Sequence, residues 1–424
     1  MKTPPTDLDE GTIRRIDWQE LCPAVLLPQA VSIATTFRVL WVASFGVLLT
    51  LSLGLWLNEM TSRQAEAQYV SEFDNRRALY EARGESHLFG IHDGIDLGDQ
   101  KRQMLRNLVP LDEITESIQP KMPFTGLDEN RIAIPTPETL LLPWKTMSGS
   151  LYRLFSLQNA VSLGWFLGVF LIWGLCGAVI TRTAATQITI GQYSRWSQLK
   201  SFLRWRLRSY FAAVLIPVAG LLLCAIAVKI AGWLLMVPVV NLFVAVLFPL
   251  VLFLGFCFAI LGVGLLFGWP LAFAAVSVDG SDGFDAVSRS YSYVYQRPLQ
   301  YLVYVVLGIM IGLIGYFFIA WFVDLTLVLV AGWGNAPLTD FMRGRPETWD
   351  GWILSFWCWC FRMVKVGFLF GYFWVCSTII YVILRRSVDG TPIDEIRFPP
   401  NDQPGVQKVP DLKTDEKGAP EVVP

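Results

Sequence analysis

Hydrophobic positions do not alternate with polar ones along most of this chain; they run together in long blocks. Arg38 to Leu57 is mostly apolar over about 20 residues, the length of one membrane-spanning helix. Asn159 to Ile180 makes a second block, and Gly164 and Gly168 are spaced there for close helix approach. Tyr210 to Val278 then runs for 69 residues with one formal charge, Lys229. Two spans, about 210–231 and 244–270, divide this run around an interfacial turn at Trp233 to Asn241, with Pro238 inside it. Leu299 to about Ala331 is the fifth block, with Gly308, Gly312 and Gly315. Val366 to Leu384 is the sixth. The fold class that follows is all-α: a polytopic transmembrane helical bundle of about six spans.

Between the blocks the pattern becomes helical and amphipathic. Trp196, Leu199, Phe202, Leu203 and Leu207 recur at helical spacing, as do Phe284, Val287, Tyr291 and Val294. Trp18 to Ala34, the segment from Pro143 to Phe155, and Ile353 to Phe361 read as interfacial stretches beside the bilayer. The expected organisation has a cytoplasmic or interfacial segment at 1–37, a first span at 38–57 and an extracytoplasmic polar insert at 58–158. A five-span membrane domain at 159–386 follows, with cytoplasmic loops at 181–209 and 279–298. A cytoplasmic tail fills 387–424. Residues 399–424 carry six prolines and no aromatic residue, so disorder is expected from about 399. Within the insert, Gln64 to Arg83 has helical character. The first span starts late and lacks a small-residue cleavage motif, which makes it a retained signal anchor.

Charge placement sets the orientation. Thr181 to Ser209 holds Arg182, Arg195, Lys200, Arg204, Arg206 and Arg208 with no acidic residue, and Arg385 and Arg386 follow the last span. Short loops rich in Lys and Arg stay in the cytoplasm. Both termini are therefore expected there, with the insert, of net charge −4, on the other side. Over the whole chain, 34 Lys and Arg balance 35 Asp and Glu. That balance argues against a nucleic-acid partner. The expected partners are membrane lipids, with Arg195, Lys200, Arg204, Arg206 and Arg208 as contacts to anionic headgroups.

Candidate chemistry is sparse. There is no HExxH, GxSxG, GxxxxGK or CxxC, so no catalytic residues, no cofactor and no enzyme activity are expected. His87 and His92 are the only histidines, too few for a metal site. The seven cysteines form no disulfide framework in the polar insert. Four ionisable residues fall in or beside spans: Lys229, Asp324, Arg362 and Lys365. In the six-span topology all four approach the outer leaflet, where an ionisable residue is a functional candidate. Asp324 is too short to snorkel far, so a partner is expected in Arg362 or Lys365. The two functional classes left open are a membrane-organising, lipid- or partner-binding component, and a transporter or channel built on that charge cluster.

Gly268-Trp269-Pro270-Leu271, the Asp279-Gly280 turn, and Phe284-Asp285-Ala286-Val287-Ser288-Arg289-Ser290-Tyr291 resemble a motif of uncharacterised bacterial multi-pass membrane proteins. The same pattern is similar to the membrane domain attached to some glycerophosphodiester phosphodiesterases, with Val287 where Leu is usual. The stretches around 178–187 and 379–395 extend the resemblance over the C-terminal 60% or so of the chain. It implies a helical inner-membrane protein and no activity, because the catalytic domain has no counterpart here. Val388-Asp389-Gly390-Thr391 also resembles Val278-Asp279-Gly280-Ser281, each reading as a turn and cap.

Overall fold

In a computed structural model, residues 23–82, 137–156, 160–333 and 349–399 are described. His87, His92, Cys22 and the tail beyond 399 lie outside them. A 3-10 turn, Pro23–Leu26, precedes eleven α-helices among the described residues. These are α1 (Gln29–Ala34), α2 (Phe37–Ala82), α3 (Pro137–Leu140), α4 (Leu142–Ser156), α5 (Ala160–Ile190) and α6 (Trp196–Leu234). Then come α7 (Val240–Val246), α8 (Phe248–Asp279), α9 (Gly283–Gln296), α10 (Pro298–Trp333) and α11 (Trp349–Asp389). The chain is all-α. Six helices are long and apolar enough to cross a membrane: parts of α2, α5 and α11, most of α10, and all of α6 and α8. The polypeptide is accordingly a multi-pass membrane protein.

The chain divides into two units. One comprises Met1–Gly149 with Arg297–Gly390, and the other Ser150–Gln296 with Thr391–Pro424.

In the first unit α11 is the centre, packed against α1, α2 and α10. From Val366 to Leu384 almost every residue of α11 is buried. The close approach of α10 follows from glycine: a Cβ on Gly308 would stand 2.7 Å from Cys376 Sγ, and one on Gly312 would stand 2.5 Å from the Tyr372 ring. The Tyr372 hydroxyl donates to the Gly308 carbonyl at 2.6 Å, a bond that the missing side chain permits. The N-terminal stretch departs from expectation. Leu26, Leu27, Ala30, Ile33 and Ala34 are buried, and α1 packs on α11 instead of lying on a lipid surface. Their i, i+1, i+4, i+7, i+8 spacing makes one apolar stripe, which protein covers. Residues 353–361 likewise belong to the first turns of α11 and form no separate segment. The helix expected at 64–83 is the continuation of α2 to Ala82.

In the second unit α8 is the centre, packed against α5, α6 and α9. The long apolar run divides as the pattern predicts, with α6 ending at Leu234 and α8 starting at Phe248. The stretch 181–209, expected as a loop, is helical except at 191–195: α5 continues to Ile190 and α6 starts at Trp196. Buried Thr181, Arg182 and Thr183 continue the face of α5, so polarity there marks an internal contact and not a helix end. Asp279 closes α8, and Gly280 takes the left-handed conformation (φ 59°) that glycine adopts without penalty. Asp282 then accepts the Asp285 amide at 2.8 Å and caps α9. Gly390, φ 68°, ends α11 in the same way.

Candidate functional site

Three of the four expected intramembrane charges fall in the first unit. Asp324 lies on α10, and Arg362 and Lys365 lie on α11. Lys365 Nζ donates to Asp324 Oδ1 at 2.9 Å, with the two side chains 5% and 18% exposed. Arg362 is also buried. Beside them Val323, Leu327 and Cys358 form a small apolar cluster with Ile319, Phe361 and Val364. A carboxylate among such neighbours needs its cation close by, because separating the charges in apolar surroundings is costly. Lys229 belongs to the second unit. It is exposed near the end of α6, with Nζ 5.7 Å from the Trp233 ring centroid.

The basic residues of 195–208 divide by helical phase. Lys200, Arg204 and Arg208 are spaced four apart on one stripe of α6, and all three are exposed. Leu199, Phe202, Ser209 and Tyr210 are buried on the other side. Exposed Trp196 and Trp205 accompany the stripe. Arg195 is exposed and precedes the helix, where its amide donates to Gln198 Oε1 at 3.1 Å. Arg206 differs from the rest. It falls on the buried side, stacks 3.9 Å over the Trp205 ring, and lies in the field of Asp282. Phase therefore separates four outward cations from one that is used internally.

The structure adds Arg182, which was grouped with the loop cations by sequence. Its guanidinium is buried and forked: Nη1 donates to the Ser277 carbonyl at 2.5 Å and Nη2 to the Arg397 carbonyl at 2.9 Å. The Phe202 ring covers it at 3.8 Å, and the Phe398 ring lies at 5.2 Å. The Arg397 amide donates to the Val278 carbonyl at 3.0 Å. Residues 396–399 are thus strapped onto the C-terminal end of α8, where carbonyls without helical partners favour a cation. Next to the fork the Tyr210 hydroxyl, Ser277 Oγ and Thr181 Oγ1 form a buried chain with distances of 2.7 and 2.6 Å. Ser277 gives its one hydrogen to Thr181, so Tyr210 donates to Ser277.

A third group surrounds α9. Arg289 Nε pairs with Asp285 at 3.0 Å, and Nη1 lies 3.5 Å from Asp279. On the opposite face the hydroxyls of Tyr291 and Tyr295 donate to the Leu261 and Ile260 carbonyls at 2.9 and 2.5 Å. The tyrosine rings fit because α8 carries glycine: a Cβ on Gly264 would stand 2.4 Å from the Tyr291 ring. Among the described residues, no group of three or more His, Cys, Asp or Glu is arranged to hold a metal ion.

Comparison with protein-family models, curated proteins and solved structures finds no match to this chain.

Proposed function

We propose that this protein is a non-enzymatic component of a bacterial inner membrane, both termini cytoplasmic, that organises partners or lipids through its basic cytoplasmic face. The observation that carries the reading is the Lys200, Arg204 and Arg208 stripe. Three cations four residues apart face outward between Trp196 and Trp205, with no ion pair to any of them among the described residues. Indole rings settle at headgroup depth, and cations beside them attract anionic lipid. Arg195 extends the same surface. The resemblance to uncharacterised multi-pass membrane proteins agrees with this placement and supplies no activity.

A transporter or channel using Lys229, Asp324, Arg362 and Lys365 is the alternative. The Asp324–Lys365 bond weighs against it, because it gives two of the four charges a structural task.

The test is lipid retention. Wild type and a Lys200→Gln/Arg204→Gln/Arg208→Gln variant are purified in mild detergent, and co-purified phosphatidylglycerol is quantified by mass spectrometry. The variant is expected to lose most of its anionic lipid and keep its zwitterionic lipid. Equal phosphatidylglycerol in both would overturn the reading.

A further inference from the structure

The α6–α8 hairpin ends in a tip that carries no charge. Between Ile230 and Val278 there is no Asp, Glu, Lys or Arg. At the tip Met236, Val239, Leu242, Phe243, Val246 and Leu247 are 60 to 82% exposed. A loop emerging into water would carry polar residues, and this one offers Asn241 alone between Trp233 and Leu247. Val239 turns the chain into α7 with φ 73°, a costly conformation for a β-branched residue. Such strain persists where the surroundings hold it.

Length shows what surrounds the tip. From Arg208, the last outward cation of the stripe, to Lys229 is 21 residues, about 32 Å of helix. That matches a hydrocarbon core of about 30 Å. Lys229 thus comes level with the far boundary, and its Nζ approaches Trp233, one turn nearer the tip. Helical side chains ordinarily lean the other way, toward the N-terminus. A lysine that leans tipward is reaching for a headgroup plane on the tip side of its own Cα. The apolar tip is then at that plane, with α7 laid along it.

We propose that α7 and its flanking turns are an interfacial insert, with Leu242, Phe243, Val246 and Leu247 among the acyl chains of the leaflet far from the basic stripe. Lys229 and Trp233 form the binding point for a phospholipid phosphate there, the ammonium meeting the phosphate and the indole its glycerol region. Burying six large apolar side chains outweighs the cost of one snorkelling lysine.

The test places a nitroxide at position 243 through Phe243→Cys in the full chain, reconstituted in phosphatidylethanolamine and phosphatidylglycerol vesicles. Signal from the unsubstituted chain, labelled identically, is subtracted. Collision with oxygen is expected to exceed collision with a water-soluble nickel chelate. Dominant nickel collision would put the tip in water and overturn the proposal. Low collision with both would put it under protein, a second copy or a partner, and also overturn it. The same label is then read in Lys229→Met and Lys229→Arg backgrounds. Methionine is expected to raise the oxygen-to-nickel ratio, because the tie to the phosphate plane is gone, and arginine to leave it unchanged. An unchanged ratio with methionine would remove Lys229 from the proposal. If neither variant accumulates, the wild-type ratio at 243 decides.

Discussion

Lys365 and Asp324 are bonded at 2.9 Å across two helices, in surroundings that leave 5% and 18% of their side chains exposed. The bond ties α10 to α11 beside the Val323, Leu327 and Cys358 cluster, at a depth where neither charge is stable alone. Removing one partner strands the other. Asp324→Asn or Lys365→Met is expected to destabilise the first unit by roughly 2–4 kcal/mol, near the range for a broken buried pair. The double variant Asp324→Asn/Lys365→Met is expected to recover much of that loss, since no uncompensated charge remains. Thermal unfolding in detergent, followed by tryptophan fluorescence, reads the cycle. Additive losses would mean that the two residues do not act as a pair.

Arg182 holds the strap at 396–399 through a fork that lysine cannot reproduce. Two carbonyls on different segments, Ser277 and Arg397, accept from two nitrogens of one planar group stacked on Phe202. Both Arg182→Lys and Arg182→Ala are expected to release the strap. The readout is hydrogen exchange at the Arg397 amide, which bonds the Val278 carbonyl. Exchange there is expected to accelerate about tenfold or more, following loss of about 1–3 kcal/mol of local protection. Protection unchanged in Arg182→Lys would show that charge alone holds the segment.

How much of this was legible in the chain depends on which signal each feature leaves. The spans were legible because the bilayer demands about 20 apolar residues with few charges, and the division of the 69-residue run followed from that length. The Asp324–Lys365 pair was legible because a short carboxylate in an apolar block has few ways to be satisfied. Arg182 was not. By composition it matches Arg204 and Arg208, and only the packing of α5 against the end of α8 turns it inward. The same holds for α1, whose apolar stripe reads equally as lipid-facing or protein-facing. Hydropathy reports that a residue leaves water, not what replaces the water.

Glycine makes a prediction in the second unit. A Cβ on Gly283 would stand 2.4 Å from Ala212 Cβ and 3.1 Å from backbone atoms of α6, none of which is the end of a flexible side chain. Gly283→Ala is expected to cost about 1–3 kcal/mol through overpacking, pushing α9 away from α6. At Gly149 a Cβ would meet nothing within 4 Å. Gly149→Ala inside α4 is expected to be neutral or to stabilise by up to about 1 kcal/mol, the helical penalty of glycine. Paired melting curves decide; equal effects at both sites would contradict the close approach of α9 and α6.

Alkaline pH gives the last expectation. Burial raises the Tyr291 phenol above the ordinary 10.0, and the neighbouring Tyr295 adds to the rise. A raised acid is held neutral in the fold. Its contribution is whole below the unfolded value near 10 and is lost as pH climbs past it, because the unfolded chain ionises first. The neutral form is the one the structure uses, as donor to the Leu261 carbonyl. Tyr291→Phe is expected to cost about 1 kcal/mol at pH 7 by losing that bond. It is also expected to flatten the decline between pH 10 and 12, since phenylalanine has nothing to ionise. Chemical unfolding midpoints measured from pH 7 to 12 for both chains read the two effects together. A variant that declines as steeply as wild type would place the alkaline sensitivity elsewhere than at the α9–α8 contact.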